Sequence, residues 1–134
     1  MGKDSSGFFR GTSGDLGNAE LGGIFAGARE VHGFPLVLHE GRQGKHMPNH
    51  NNYIAGRSVF YGSMHDAQEV LTEYGGTGIW YERSKREVID VGRVIGSFVD
   101  RDTGIGEPTT RLTIHYSENG AHIVPSNPKP KRSK

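Results

Sequence analysis

The feature that most constrains the fold is a short stretch with a strong helix signal, residues 63–75, followed by a β pattern that runs nearly to the end of the chain. Ser63 and Asp66 have the spacing of a capping box, in which side chains at the start of a helix satisfy its free amide groups. Gly75 is placed to end the helix. Between them, apolar side chains recur on one helical face, at Ala67, Val70, Leu71 and Tyr74. The stretch therefore predicts an amphipathic helix that packs against a sheet.

After residue 78, short strand-like segments alternate with turn residues. The predicted strands are residues 79–81, 86–92, 94–99, 109–116 and 121–125. Turn signals separate them at Ser84-Lys85, within 100–108 and at Asn119-Gly120. We therefore expect an α+β fold, in which an N-terminal helical or irregular region and one clear helix pack on a four- to five-stranded antiparallel sheet.

The first quarter of the chain differs in composition from the rest. It is rich in Gly and Ser, and each interior Gly costs a helix about 1 kcal/mol, so residues 1–36 are predicted to be a connector with at most one short helical or strand piece. Residues 37–127 would form the folded domain, with 34–38 and 56–62 extended. Residues 128–134 would form a basic, disordered tail. No apolar run approaches the ~18 residues of a membrane span, and we expect no signal peptide.

The 134 residues carry a formal net charge of only +1 and include no cysteine. The lack of cysteine excludes disulfides, thiol nucleophiles and cysteine-ligated zinc. Positive charge is nevertheless concentrated, because residues 42–57 contain Arg42, Lys45 and Arg57 and no acidic residue. This pattern permits a polyanionic partner such as RNA without requiring one.

Strand alternation places the two histidines of the last predicted hairpin. Arg111, Thr113 and His115 share one face of their strand, and the apolar side chains between them share the other. His122 joins the face of His115 whenever the hairpin loop has an even number of residues. The two histidines are directly opposed if the loop is 117–120 and diagonal if a two-residue turn forms at 119–120, whereas an odd loop would separate them.

A second polar stretch, residues 41–53, carries His46 and His50. It has too few apolar residues to be core, and its Gly and Pro residues interrupt a helix, so we predict an irregular segment. Our hypothesis is that the fold brings this segment to the hairpin and joins their imidazoles in one site.

Such a site has the groups that RNA cleavage without a metal or other cofactor requires. A base removes the proton of the 2′-hydroxyl, an acid protonates the departing 5′-oxygen, and cations or donors stabilise the charged phosphorane. Imidazole serves as base or acid because its pKa lies near neutrality. The candidate catalytic residues are His46, His115, His122, Lys45, Thr77 and Tyr116. The candidate substrate-binding residues are Arg42, His50, Arg57, Arg111 and Ser117.

Two other interpretations of these residues remain open. His46 and His50, with His115 or His122, could supply three zinc ligands, although the spacing is not specific and no glutamate accompanies it. Alternatively, the domain could bind RNA or a protein without catalysis, with the basic segment gripping phosphate. The remaining histidines are interpreted as ordinary surface residues, namely His32, His39 and His65.

Taken together, these motifs resemble a known family. They comprise residues 41–46, Tyr53, Gly56-Arg-Ser58, Thr77-Gly78 and the segment 115–125. Over about residues 38–127 they resemble the bacterial polymorphic toxin type 50 domain, which lies at the C-terminus of large secreted toxins and of some phage head-associated proteins. His50 fits the family pattern less well, and Met47 stands where Ile is expected. The pattern itself selects Lys45, His46, Thr77, His115, Tyr116, Ser117 and His122.

The resemblance implies a function. The family is predicted to be ribonucleolytic and is similar to the barnase, EndoU, colicin and RelE group of small toxin nucleases. It implies the C-terminal domain of a polymorphic or contact-dependent toxin, joined to a carrier N-terminal region and delivered from the producer cell to the cytoplasm of a target bacterium, with no membrane binding of its own. The implied partners are RNA, with tRNA as one candidate, and a cognate immunity protein. Cleavage would leave 2′,3′-cyclic phosphate ends.

Overall fold

A computed structural model describes residues 28–129 of the chain. The predictions for residues 1–27 and for the tail beyond residue 129 lie outside the described residues, and the proposed domain boundaries remain predictions. The elements in chain order are β1 (Glu30–Val31), β2 (Phe34–Pro35), α1 (Glu40–Gln43), a 3-10 turn (Gly44–His46), β3 (Val59–Phe60), α2 (Met64–Tyr74), β4 (Ile79–Tyr81), β5 (Arg86–Asp90), β6 (Gly96–Val99), β7 (Gly106–Thr109), β8 (Arg111–Ser117) and β9 (Gly120–Pro125).

The capping-box helix is confirmed as α2. The hydroxyl of Ser63 accepts a hydrogen bond from the Asp66 N–H at 3.1 Å, and the Asp66 carboxylate accepts one from the Ser63 N–H at 2.9 Å. The helix ends at Gly75, whose N–H donates to the Leu71 carbonyl. A Cβ at Gly75 would collide with the Leu36 side chain, so the close approach of these two residues requires glycine.

The main sheet is antiparallel and has four strands in the order β9-β8-β5-β4, which confirms the α+β prediction. One face of the sheet packs against the apolar face of α2. The buried residues that join the two layers are Ala67, Val70, Leu71, Leu112, Ile114 and Ile123. Burial of each of the Val, Leu and Ile side chains contributes on the order of 1.5–3 kcal/mol, so this layer stabilises the domain. Within residues 28–129, no helix combines the length and hydrophobicity needed to cross a bilayer.

The segment 94–99 was predicted to continue the main sheet. This prediction is wrong, because the segment pairs with other strands. Residues 96–99 form β6, which pairs with β3 and β7 in a separate three-stranded sheet. A Cβ at Gly96 would collide with the Val59 carbonyl and with Pro125, so glycine permits this close packing. The end of the predicted 100–108 connection is also strand, because Gly106–Thr109 forms β7 at the sheet edge, where Pro108 is tolerated.

The polar stretch that begins at residue 41 was predicted to be irregular, but its first part is helical and buried. Residues 40–46 form α1 and the 3-10 turn, and the start of α1 is capped by His39, whose Nδ1 accepts from the Arg42 N–H at 3.2 Å. The Gln43 side chain replaces a neighbouring strand, since it donates to the Ile123 carbonyl (3.0 Å) and accepts from the Ile123 N–H (2.7 Å). These bonds hold α1 against the outer edge of β9.

Candidate active site

The last hairpin brings His115 and His122 face to face. The two are directly paired between β8 and β9, and their ring centroids lie 4.7 Å apart. Ser117 pairs with Gly120, so the two residues between them, Glu118 and Asn119, form the turn, not Asn119-Gly120. The loop 117–120 has an even number of residues, and for this loop the sequence predicts that His115 and His122 are directly opposed.

His46, which is far from the hairpin along the chain, lies beside the same pair of histidines. Its ring stacks on that of His122, with centroids 5.8 Å apart and planes inclined by 17°. The side chain lies under the site, since His46 is only 4% exposed, and its Nδ1 lies 2.9 Å from the Ser58 carbonyl oxygen. A carbonyl only accepts, so Nδ1 carries the proton and donates it to this bond. In the neutral ring, Nε2 is therefore left with a free lone pair.

The three-histidine cluster (His46, His115 and His122) is open to solvent on one side. Among residues 28–129, two side-chain polar atoms are both sealed from solvent and without a hydrogen-bond partner, Arg111 Nε and Ser126 Oγ. The imidazole nitrogens are not among them, and His115 and His122 are only half-buried. The cluster therefore meets solvent through these two rings.

Burial lowers the pKa of all three imidazoles. Desolvation, reinforced by the positive charge of Arg86, lowers the pKa of His115 to about 4. Desolvation, reinforced by the neighbouring His115 and His46, lowers the pKa of His122 to about 3. The pKa of His46 is lowered by desolvation, against an opposing contribution from the hydrogen bond to Ser58. The three rings are therefore largely neutral at pH 7 in the free protein.

The charged side chains that act on the cluster are cationic. Arg42 and Arg86 lower the pKa of His122 and His115, respectively, and Lys45 and Arg57 lower that of His46. Arg42 is also held in place, because its guanidinium donates to the Ser117 hydroxyl at 2.9 Å. A cluster of neutral imidazoles ringed by cations is suited to an anion such as phosphate.

The structure does not bring Tyr116 to the cluster. Its side chain lies on the opposite, core face of the sheet, where the hydroxyl donates to Glu87 at 2.6 Å. Burial and this hydrogen bond raise the pKa of Tyr116 far above its ordinary value. Tyr116 therefore lacks the geometry for direct contact with a phosphate bound at the imidazoles.

Thr77 and Arg111 also lie outside the cluster. The Thr77 hydroxyl donates to the Tyr74 carbonyl at 2.7 Å, at the end of α2. Arg111 shares the histidine face but precedes His115 by four residues, a displacement of about 13 Å along a strand. Its Nε is one of the sealed atoms. These side chains can act on a ligand at the cluster only at a distance.

His50 has a local structural role in the described geometry. Its Nδ1 accepts from the Asn52 N–H at 2.9 Å, and the ring lies against Gly44, where a Cβ would collide with it. His50 thus holds the turn that follows the 3-10 segment. Within residues 28–129, no group of three His, Asp or Glu side chains has a geometry that could hold a metal ion. The geometry gives the zinc interpretation no support.

Sequence reasoning missed three residues that build the site. Gln43 and Ser58 position the segment that carries His46, and Arg86 lies beside His115. Arg86 could have been found, because β5 was predicted and alternation puts Arg86 and Val88 on one face. Gln43 and Ser58 lie within the motifs that carry the family resemblance, but nothing in the sequence indicated their roles, since their partners are distant or are backbone atoms. A separate cleft of about 290 Å³ lies away from the histidines and is lined in part by the acidic residues Asp66, Glu69 and Glu73.

These observations define a small α+β domain that presents buried, neutral histidines in a cationic setting. The model of the family described as bacterial toxin 50 matches residues 38–125, which is more than half of the chain and includes all three histidines. No curated protein matches the chain. The chain therefore belongs to the bacterial toxin 50 family, and the domain is a bacterial toxin domain.

Proposed function

We propose that this toxin domain is a metal-independent endoribonuclease whose base is His46 and whose acid is one of the facing pair His115 and His122. The observation that carries the proposal is the convergence of three imidazoles, 4.7 and 5.8 Å apart between successive rings, among cationic side chains. These distances leave base and acid within reach of a single phosphodiester.

The hydrogen bond of His46 supports its role as the base. Because the Ser58 carbonyl holds the proton on Nδ1, Nε2 is free to remove the proton of a 2′-hydroxyl. The 2′-oxygen then attacks phosphorus, the bond from phosphorus to the 5′-oxygen breaks, and an imidazolium of the facing pair donates its proton to that oxygen. The products are a 2′,3′-cyclic phosphate and a 5′-hydroxyl. Arg42, Lys45 and Arg57 stabilise the added charge on the phosphorane.

The lowered pKa values imply how the acid becomes charged. In the free protein, burial disfavours the charged form of His115 and His122, and repulsion by the surrounding cations and neighbouring rings adds to this effect. A bound phosphodiester brings a negative charge that offsets this repulsion and raises the pKa of the imidazole beside it. RNA binding is therefore accompanied by proton uptake, which supplies the acid while His46 stays neutral.

The test is cleavage of a mixed RNA substrate by purified protein in EDTA, with analysis of the product ends. We expect 2′,3′-cyclic phosphate ends and a loss of about 10²–10⁴-fold in rate for His46→Asn. Asn can still donate to the Ser58 carbonyl but lacks Nε2, so the variant isolates the base. His65→Asn is the matched control, because this histidine is exposed on α2.

Three outcomes would contradict the proposal. Intact RNA under all conditions, together with salt-sensitive binding, would favour a non-catalytic RNA-binding module. Cleavage that is unchanged in His46→Asn would remove His46 from the mechanism. Cleavage that stops in EDTA and returns with zinc would establish the metal-dependent alternative.

The family also supports proposals about partners. A toxin domain of this family implies delivery to a target cell and a cognate immunity protein in the producer. We expect that protein to be acidic and to cover the cationic histidine face, since complementary charge speeds and directs such binding. The carrier region, the choice of tRNA as target and action in the target cytoplasm belong to the same proposal.

A further inference from the structure

The register of the main sheet places four side chains in one row across the histidine face. Tyr81 on β4 pairs with Arg86 on β5, Arg86 pairs with His115 on β8, and His115 pairs with His122 on β9. Directly paired residues of antiparallel strands point to the same face, with Cβ atoms about 5 Å apart. The row therefore leads from the outer edge of the sheet straight into the three-histidine cluster.

The outer end of this row is open to solvent. Tyr81 is 50% exposed and Arg86 is exposed, whereas His115 and His122 are half-buried. The neighbouring Trp80 points to the other face, where it packs edge-on against Tyr116. Trp80 thus packs against the core, whereas half of the Tyr81 surface is open to a ligand.

Arg86 has no salt-bridge partner among the described residues. Among residues 28–129, the salt bridges involve other side chains, and the acid in the β4–β5 turn, Glu82, is bonded to Lys85 and to the Trp80 indole N–H. Arg86 is close enough to His115 to lower its pKa. Its guanidinium is therefore a cation with an unfilled site for an anion beside the imidazoles.

We infer that Tyr81 and Arg86 form a binding subsite for the nucleotide next to the scissile phosphate. The Tyr81 ring stacks on the base, and the Arg86 guanidinium binds a phosphate oxygen, which are the two contacts that single-stranded nucleic acid offers at every position. The inference rests on the proposed function for the position of the scissile phosphate, but the binding contacts stand without it. Strands about 4.8 Å apart put β4 about 10 Å from β8, so the nucleic acid chain crosses the strands.

This geometry also selects the class of substrate. A base that stacks on Tyr81 has to leave its own stack and its pairing partner, which costs little in a loop or a single strand and much in a duplex. The subsite therefore favours single-stranded or looped RNA.

The binding test uses the full 134-residue chain and a single-stranded oligodeoxyuridine, which offers bases and phosphates but no 2′-hydroxyl to attack. We expect Tyr81→Ile to weaken binding by about 5- to 100-fold, since stacking is lost, and Tyr81→Phe to keep it within about two-fold. Tyr61→Ile is the matched control, because Tyr61 is similarly exposed (52%) but lines the acidic cleft. Arg86→Gln should reduce the slope of log affinity against log salt by about one.

The outcomes separate the two proposals. Equal binding by Tyr81→Ile, Tyr61→Ile and the unaltered protein overturns the subsite, even if RNA is cleaved. Weaker binding by Tyr81→Ile in a protein that cleaves no RNA supports the subsite and refutes the ribonuclease. Isoleucine is β-branched and apolar and therefore suits the strand β4, and matched thermal melts confirm that a loss of binding is not a loss of folding. If Tyr81→Ile melts early, wild-type binding by Arg86→Gln with an unchanged salt slope overturns the subsite.

Discussion

On the core face of the main sheet, the carboxylate of Glu87 is almost fully buried and has a partner for each of its oxygens. It accepts hydrogen bonds from the Gly76 N–H (3.0 Å), the Gly78 N–H (2.6 Å) and the Tyr116 hydroxyl (2.6 Å). On the opposite face, His115 and His122 are also withdrawn from water, yet their neighbours are other imidazoles and cations. The same strands, β5 and β8, carry both arrangements.

This difference separates a residue that stabilises the fold from residues that can bind a ligand. A buried ionisable group with all its hydrogen bonds made holds the fold together, because removing it leaves several donors unsatisfied. A buried group whose neighbours repel its charged form destabilises the fold and retains its capacity to bind a ligand. Glu87 belongs to the first kind and the three-histidine cluster to the second.

The largest expected effect on stability is therefore at Glu87. Glu87→Ala leaves two amide groups and one hydroxyl without acceptors, so we expect the free energy of unfolding to fall by about 3–5 kcal/mol, measured by urea denaturation. Glu69→Ala is the control, because its ion pair with His65 is exposed and worth at most about 1 kcal/mol.

A variant that removes only one hydrogen bond to Glu87 tests this prediction further. Tyr116→Phe removes one of the three donors, so we expect a loss of about 1.5–3 kcal/mol with RNA cleavage retained in the folded protein. A large loss of cleavage with native stability would restore Tyr116 to the catalytic residues. A loss below about 1 kcal/mol for Glu87→Ala would erase the contrast between the two faces.

The second prediction concerns pH. Below pH 6.5 the unfolded chain takes up protons on His115 and His122, whereas the folded protein does so only near pH 4 and pH 3. Because the unfolded state binds more protons, the free energy of unfolding falls as the pH is lowered from 7 to 4, by an amount on the order of 3 kcal/mol from each group and about 6 kcal/mol from both together.

The measurement is urea denaturation of the unaltered protein and of a double variant, His115→Gln with His122→Gln, at several pH values. The double variant should show a shallower dependence, while the exposed control His65→Gln should keep the original one. Parallel curves for all three proteins would show that the facing histidines carry no such penalty.

The smallest effect on stability is expected at the cluster itself. His122→Val exchanges an imidazole without a hydrogen-bond partner in the described structure for a good strand residue, so we expect stability to stay level or rise by up to about 1 kcal/mol. RNA cleavage should nevertheless fall by about 10²-fold or more. A clear loss of stability would mean that the ring contributes to packing, which would bring the two faces closer in character.

What could be predicted from the sequence was mostly local. The capping box that starts α2 and the alternation that sets His115 opposite His122 both depend on residues a few positions apart. The convergence of His46 on that pair was a hypothesis, since no local pattern relates residue 46 to residue 122. The structure supplies that relation through Gln43 and Ser58.

The prediction for the segment 94–99 was wrong because its strand partners lie far along the chain. The segment 94–99 has the same strand pattern whichever sheet it belongs to, and nothing in the sequence of either segment indicates its pairing with Val59-Phe60. The catalytic roles proposed for Tyr116 and Thr77 from chemical type and from the family pattern stay predictions, but the Tyr116 hydroxyl is bonded to Glu87 across the sheet and the Thr77 hydroxyl to the end of α2. Residue type alone does not reveal which face or which loop neighbour a side chain meets.

The bond pair between Gln43 and Ile123 spans 80 residues of chain. The helix that delivers His46 can dock only when the final strand has been synthesised and has taken its place, and such long-range closure comes late in folding. A chain in which β9 has not yet paired would therefore hold the three rings apart, so the cluster is among the last parts of the domain to form.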